Sequence, residues 1–458
     1  MELKVKAKLD KGFEPLALVV SQMREKTKDE GQDIVIGIER NKGYTATYKT
    51  RVFKDNTGHD EENFRFIERM TKALLWIAGG YKVIIAGSEV IGEKIKEAYT
   101  YGGLRDFDVH FMERVYETKF EVEIRDIKDA PENVSSAAPI GRHLDGCRIG
   151  FDAGGSDRKV SAVINGETVY SEEVVWHPKT QTDPEYHRKG ILEAMKTAAS
   201  HMPRVDAIGV SSAGVYVDNR IMVASLFIKV SDDDFDKKVK NMYIDVAKEI
   251  GENIPIEVAN DGDVTALAGA MDLKEDAVLG IAMGTSEAGG YVDPKGNITG
   301  WLNELAFVPI DFNPDAMVDE WSGDYGCGVK YFSQDGVIKL APYANIALDE
   351  KLSPAEKLKV VQELMKKGDK NAADIYDTIG ACFGYAIAFY SEFYDIKNVL
   401  IMGRVTSGEG GVILLERAKE VLEKEFPDLA KKIKLNIPDE SSRRVGQSVA
   451  AASLPKIN

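Results

Sequence analysis

Ile149-Gly150-Phe151-Asp152-Ala153-Gly154-Gly155-Ser156 decides the reading of this chain. An apolar run with strand character ends in an aspartate, two glycines and a hydroxyl residue. Val160-Ser161-Ala162-Val163-Ile164 follows as a second strand, with Asn165-Gly166 as its own turn. The first turn is almost all backbone. Glycine lets N–H groups approach an anion that a side chain would hold off. Asp152 beside it is a carboxylate that can hold a metal ion directly or through water. Taken alone, the pattern equally describes a tight hairpin that needs glycine for its turn. The segments on either side decide between the two.

Downstream, strand and helix alternate. Thr168–Trp176 reads as a third strand, Glu185–Ser200 as a helix, and Val205–Val210 as a buried strand running into Ser211-Ser212-Ala213-Gly214. Asp232–Gly251 reads as one amphipathic helix, capped by Ser231 and with acidic residues at the positive end of its dipole. Ile256-Glu257-Val258 leads into Asn260-Asp261-Gly262-Asp263 and an alanine-rich helix. A second glycine-rich hairpin joins Val278–Met283 to Tyr291-Val292 through Gly284-Thr285-Ser286-Glu287-Ala288-Gly289-Gly290. A long helix (Ile375–Tyr394), a strand (Val399–Met402), a helix (Leu414–Glu425), a short strand near Leu435–Ile437 and a small-residue helix near Gly446–Ser453 complete this part.

Upstream, a proline-containing linker, Asp129–Pro139, sets off a separate α/β segment. It reads as strand (Ile34–Glu39), strand (Tyr44–Thr50), a short third strand, helix (Glu61–Ala78), strand (Lys82–Ala86) and helix (Glu89–Tyr99). That order echoes the one after residue 149, without the glycine loop. Two readings stand: a degenerate copy of the same half-fold, or an unrelated α/β module. Gly87-Ser88-Glu89-Val90-Ile91-Gly92-Glu93-Lys94 lacks the Gly-Lys-Ser/Thr of a phosphate loop and reads as a plain strand-to-helix turn. The expected division is 1–145, 146–265 and 266–458.

The composition bounds the function. At 458 residues the chain exceeds one core. No apolar run approaches a membrane span and the N-terminus lacks a signal-peptide pattern. The three cysteines, Cys147, Cys327 and Cys382, are sparse and odd in number, which argues for a reducing, cytoplasmic setting. A formal charge of −16 argues against nucleic acid as a partner. His177, His187 and His201 have no partners at metal spacing and read as incidental surface residues. The stripe Phe383, Ile387, Tyr390, Tyr394 reads as the core-facing side of a helix.

Five blocks occur in a known order. Asp152-Ala153-Gly154-Gly155-Ser156, Gly209-Val210-Ser211-Ser212-Ala213-Gly214, Asn260-Asp261-Gly262-Asp263, Met283-Gly284-Thr285 with Gly289-Gly290, and Met402-Gly403-Arg404-Val405-Thr406-Ser407 together resemble the ROK family (repressors, open reading frames and kinases). That family belongs to the superfamily of sugar kinases, heat-shock ATPases and actin. The resemblance implies two ribonuclease H-like lobes of the actin-like ATPase kind, here with an additional α/β domain in front. It implies a kinase that moves the γ-phosphate of ATP to a sugar hydroxyl, with Asp261 as general base and Asp152 positioning Mg²⁺ through water. Nucleotide contacts would come from Asp152, Gly154, Gly155, Ser156, Gly284, Thr285, Gly403, Arg404 and Ser407. Acceptor contacts would come from Ser212, Gly214, Asn260, Glu304 and Phe307.

Departures from the pattern narrow the expectation. The family's Gly-Glu-Leu-Gly-His is Asn303-Glu304-Leu305-Ala306-Phe307 here, and its cysteine cluster has become Trp321–Val329 with Cys327 alone remaining. Four ligands for a structural zinc are not available, so zinc is not expected and Cys327 reads as a small buried residue. Phe307 and Val329 stand where the family contacts sugar hydroxyls, so the acceptor is expected to be a carbohydrate or polyol other than plain glucose. The family's lysine after the first glycine turn is replaced by Asp157, leaving Arg158 or Lys159 as candidates to reach the phosphates. The alternatives are a non-catalytic sugar-responsive regulator, and an ATPase or kinase with a non-sugar acceptor. Monomer and homodimer are both compatible with the sequence.

Overall fold

The structure, a computed structural model, describes residues 2–135, 140–438 and 440–457, with the side chains of 440–445 excepted. Part of the expected linker, residues 136–139, lies outside the described residues.

The first segment forms a sheet of order β2-β1-β3-β4, from β1 (Gln32–Glu39), β2 (Thr45–Val52), β3 (Lys82–Ala86) and β4 (Glu121–Arg125). The helix Asp60–Ala78 packs against it. The helix Glu89–Ala98 starts at Ser88, whose hydroxyl accepts from Ile91 N at 3.0 Å, so the glycine-serine turn there is a helix cap. The copy reading fails on topology. No strand forms between β2 and the helix at Asp60, and β3 lies antiparallel to β1. The short third strand is replaced by an irregular stretch that Asn63 holds through both backbone groups of Phe53.

Residues 147–260 build a five-stranded sheet of order β11-β8-β5-β6-β7. Its strands are β5 (Cys147–Ala153), β6 (Asp157–Ile164), β7 (Glu167–Val175), β8 (Ala207–Ser212) and β11 (Ile256–Asn260), with the small hairpin β9 (Val215–Val217) and β10 (Arg220–Val223) between the last two. β5, β6 and β7 form an antiparallel meander; β8 and β11 add parallel to β5. The helix Pro184–Ser200 begins at Asp183, whose carboxylate accepts from Glu185 N, with proline at the first helical position. One face of the sheet is buried by Phe151, Val210, Ile191, Met195 and Tyr243. On the other face lies the helix Glu440–Ala452. Gly150 and Gly209 permit that contact: a Cβ would stand 2.0 Å from Ser448 O and 1.6 Å from Ala451 O respectively.

Two expectations here are corrected. Asp232–Gly251 is not one helix; it breaks into a turn at Asp232–Asp234, a π-type segment Phe235–Val239 and a helix Met242–Ile250. The Lys240 carbonyl accepts from Ile221 N at 2.9 Å, which takes it out of the helical ladder. His187 is not a surface residue. It is fully buried, with Nε2 on the carbonyls of Pro178 and Leu226, 3.0 Å each.

The remaining sheet has the order β13-β12-β14-β15, from β12 (Val278–Met283), β13 (Glu287–Val292), β14 (Asn398–Met402) and β15 (Lys434–Asn436). The helix Lys370–Tyr390, capped by Asp369, is buried along most of its length and packs on the helix Glu409–Glu425. The chain divides into two compact units. One comprises residues 1–135, 281–289 and 301–437, and the other 136–280, 290–300 and 438–458. The first segment is thus part of the same unit as residues 301–437. Leu16 N donates to Ile310 O at 3.1 Å and Glu14 N to Asp311 Oδ1 at 2.9 Å.

Candidate functional site

In the second unit, the carboxyl ends of three parallel strands meet. Asp152 on β5 lies in register with Ser211 on β8, and Ser212 with Asn260 on β11. In open α/β sheets this end of the strands is where ligands bind. Ser211 Oγ donates to Asp152 Oδ1 at 2.9 Å, and Gln447 Nε2 approaches the same oxygen at 3.5 Å. Burial pushes the Asp152 carboxyl up to about 6; the Ser211 bond opposes this and the nearby Asp261 adds to it. Asp261 opens the helix Asp261–Leu273. Asn260 caps that helix by accepting from Gly262 N at 2.7 Å, while its own amide donates to Gly214 O at 2.7 Å. Asp261 Oδ1 accepts from Gly262 N at 3.0 Å. Desolvation raises its carboxyl; the Gly262 N–H and the charge of Lys179 pull it back.

The glycine turn at 154–156 is exposed at its tip. Trp176 Nε1 donates to Gly154 O at 2.8 Å, tying the end of β7 to the turn. Arg158 does not face the turn. Its guanidinium donates to Gly190 O and pairs with Glu193 at 2.8 Å, on the helix Pro184–Ser200. Lys159 pairs with Asp157 at 3.3 Å. Ser212 is fully buried and its hydroxyl accepts from Tyr243 at 3.1 Å, so it supports the strand end from within the core. Gly214 adopts φ +143°, where a Cβ would meet Val223 O at 2.4 Å.

The first unit carries the other motifs. Gly284 and the exposed Thr285 form the second glycine turn, closed by Gly284 N donating to Ser286 O at 2.9 Å. Gly403, at φ +101°, passes so close to β12 that a Cβ would lie 2.3 Å from Met283 O. The turn Arg404–Thr406 follows, with Thr406 Oγ1 donating to Gly403 O and Ser407 left exposed. Glu304 N donates to Trp76 O at 3.1 Å, on the end of the helix Asp60–Ala78. Phe307 packs on Trp76 (ring centroids 4.4 Å apart) and Phe107 (5.6 Å). The residue in the family's histidine position is thus packed by aromatic residues of the first segment, a contact between positions about two hundred residues apart that no spacing rule announces.

Cys327 is buried, and burial pushes its thiol upward. Its surroundings do not fit a zinc ion. Asp324 there accepts both guanidinium nitrogens of Arg69 at 3.0 Å and pairs with Arg105 at 2.8 Å and Lys72 at 3.4 Å. Arg69, Lys72 and Arg105 of the first segment already take Asp324, the carboxylate beside the thiol. Among the described residues no group of three or more potential ligands is found anywhere. Magnesium makes a smaller demand, one or two carboxylates with the rest supplied by phosphate and water. Asp152, with Asp261 near enough to act on it, fits that demand.

Sequence reasoning did not single out Ser211, Gln447, Lys179 or the Arg69–Lys72–Arg105 cluster. Ser211 lies within the Gly209–Gly214 block, and only its register with Asp152 gives it a role. The others carry no local signal.

A five-stranded 5-4-1-2-3 sheet with a glycine turn after its first strand defines an actin-like ATPase fold. The chain belongs to the ROK family, whose model matches residues 148–447 and leaves the first segment unmatched. Among solved structures it is similar to a ROK family transcriptional regulator, a homolog of the E. coli MLC protein. The identity is 18%, the TM-score 0.50, and the match covers 68% of this chain and 79% of that one. It is also similar to the ROK hexokinase of Thermus thermophilus (19%, TM-score 0.49, 67% and 97%). A third is a ROK family glucokinase from Streptomyces griseus in complex with glucose and AMPPNP (20%, TM-score 0.47, 67% and 99%). No match was found among curated proteins. No helix of the described residues is long and apolar enough to cross a membrane.

Proposed function

We propose that this protein is an ATP-dependent kinase acting on a hydroxyl of a sugar or sugar-like molecule. The observation that carries the reading is the placement of Asp152 and Asp261 together at the carboxyl ends of parallel strands, beside a glycine turn with an exposed tip. Asp261 is the general base. Its carboxylate takes the proton from the acceptor hydroxyl as that oxygen attacks the γ-phosphorus, and ADP leaves. The Gly262 N–H and the charge of Lys179 favour the ionised form of Asp261 against its desolvation. Mg²⁺, held through water by Asp152, would offset the charge of the phosphates. Asn260, clamped between Gly214 O and Gly262 N, orients the base and the acceptor. The nucleotide roles of Gly284, Thr285, Gly403, Arg404 and Ser407 rest on motif order, as does the assignment of 146–265 and 266–458 as the two lobes.

The acceptor reading rests on Phe307 and Val329. Both are apolar and packed, so the acceptor meets fewer polar partners there than glucose would need. The same observation supports a second reading, a non-sugar acceptor. A non-catalytic regulator is a weaker fit, because the base and the first glycine turn are intact. The test is a coupled ADP-release assay over sugars, polyols and non-sugar alcohols. One acceptor should stimulate ADP release, and Asp261→Asn should lower kcat by roughly 10²–10⁴-fold. Full phosphotransfer by Asp261→Asn would end the base assignment.

A further inference from the structure

We infer that Lys179 binds the terminal phosphate of the nucleotide on the Gly154–Gly155 turn. This rests on the kinase reading above and identifies the cation that the first motif lacks, since Arg158 is turned onto the helix Pro184–Ser200 and Lys159 is already paired with Asp157.

The geometry is that of a lysine held in place by its neighbours. At Gly155, a Cβ would stand 2.9 Å from Lys179 Cε and 3.1 Å from its Nζ. The ammonium therefore lies over Gly155, one of the turn's two residues without a side chain, and any side chain there would displace it. Lys179 sits in a short turn, Pro178–Thr180, anchored on three sides. Trp176, buried, donates Nε1 to Gly154 O and its backbone N to Ser156 O at 3.1 Å. His187, fully buried, donates Nε2 to Pro178 O. Thr180 Oγ1 donates to His177 O at 2.9 Å and Gln181 N to Pro178 O at 3.2 Å, closing the turn. Two large buried side chains thus fix an exposed lysine on a surface loop. Packing alone gains nothing from that placement.

The charge pattern agrees. Lys179 makes no ion pair within 4.0 Å among the described residues. The turn carries two carboxylates, Asp152 and Asp157, and one cation besides, Lys159, which pairs with Asp157. Lys179 also acts on Asp261. Lys179 reduces the net negative charge that a triphosphate approaching this turn would meet. An unpaired ammonium over a glycine turn is suited to a phosphate oxygen.

The experiment is calorimetric binding of AMPPNP with Mg²⁺, and separately of adenosine, to the wild type, Lys179→Met, Lys179→Arg and Lys189→Met. Lys189 is an exposed lysine on the helix Pro184–Ser200 and controls for net charge. Lys179→Met should bind AMPPNP roughly 10–100-fold more weakly, as expected for a lost charge-assisted bond. Its adenosine affinity should be unchanged, Lys179→Arg should recover most of the loss, and Lys189→Met should match the wild type. Equal AMPPNP affinity of Lys179→Met and wild type would overturn the inference and leave the kinase reading standing. So would a parallel loss of adenosine, which would mark Lys179 as structural. A wild type that binds no AMPPNP would overturn both.

Discussion

Asp324→Asn tests the claim that the first segment supplies the counter-charge of the Trp321–Val329 stretch. Six ionisable side chains are buried together: Glu68, Arg69, Lys72, Arg105, Asp108 and Asp324, each 3% exposed or less. Three are cations and three are acids, so the cluster is formally neutral. Asp324 is its hub, with both oxygens on Arg69, one on Arg105 and one facing Lys72. The asparagine keeps the shape but removes one negative charge and turns an N–H₂ toward two guanidinium groups. Breaking a buried, hydrogen-bonded pair in this way costs about 3–5 kcal/mol, because the cations remain desolvated. In a unit of this size that is a fall in midpoint on the order of 10 °C. Urea and thermal unfolding, followed by tryptophan fluorescence, would measure it; Trp76, whose Nε1 donates to Asp108, lies inside the cluster. The double variant Arg69→Met/Asp324→Asn should lose clearly less than the sum of the single losses, since each single change strands the other's partner. A loss below about 1 kcal/mol for Asp324→Asn, or strict additivity in the double variant, would refute the reasoning.

Glu287 is buried, Tyr390 donates to one of its oxygens at 3.4 Å and the other has no partner, so desolvation pushes its carboxyl up to about 8. The folded chain therefore holds a proton that the unfolded chain has released between the ordinary carboxyl range and pH 8. This group's contribution is full below its unfolded pKa and is lost as pH rises to 8, at up to ~1.4 kcal/mol per pH unit. Glu287→Gln should flatten the fall in urea midpoint between pH 5 and 8; parallel profiles for the two proteins would contradict this. Gly209→Ala would force the helix Glu440–Ala452 off the sheet, where a Cβ has 1.6 Å to Ala451 O. It should cost at least ~1–3 kcal/mol by thermal melting. The shift would also draw Gln447 away from Asp152, so an unchanged midpoint would show that the helix does not pack as described.

Much of the fold was legible because its signals are local. Glycine turns between apolar runs, Asp183 and Ser88 at helix starts, and the order hairpin–strand–helix–strand–helix after residue 149 all follow from a few adjacent residues. The positions of Asp152 and Asp261 at strand ends follow in the same way, since each sits where an apolar run meets a turn or cap. What misled was pairing and continuity. β3 and the strand it was compared with look alike in sequence, yet one joins its sheet antiparallel and the other, β8, parallel. A strand's direction after a long helix is decided by how the helix packs. Asp232–Gly251 has the period of one helix, and it breaks because a β-strand takes the Lys240 carbonyl.

The sequence by itself determined the family, the glycine turns, the two carboxylates and the missing zinc ligands, because each is a matter of residue types in chain order. Only the tertiary structure decided which groups serve them. Ser211 meets Asp152 through register, and Lys179 meets Gly155 because Trp176 and His187 pin its turn. Arg69, Lys72 and Arg105 meet Asp324 from more than two hundred residues away. A charge or hydroxyl at such a distance leaves no period or spacing in the chain, and its partner is set by packing alone.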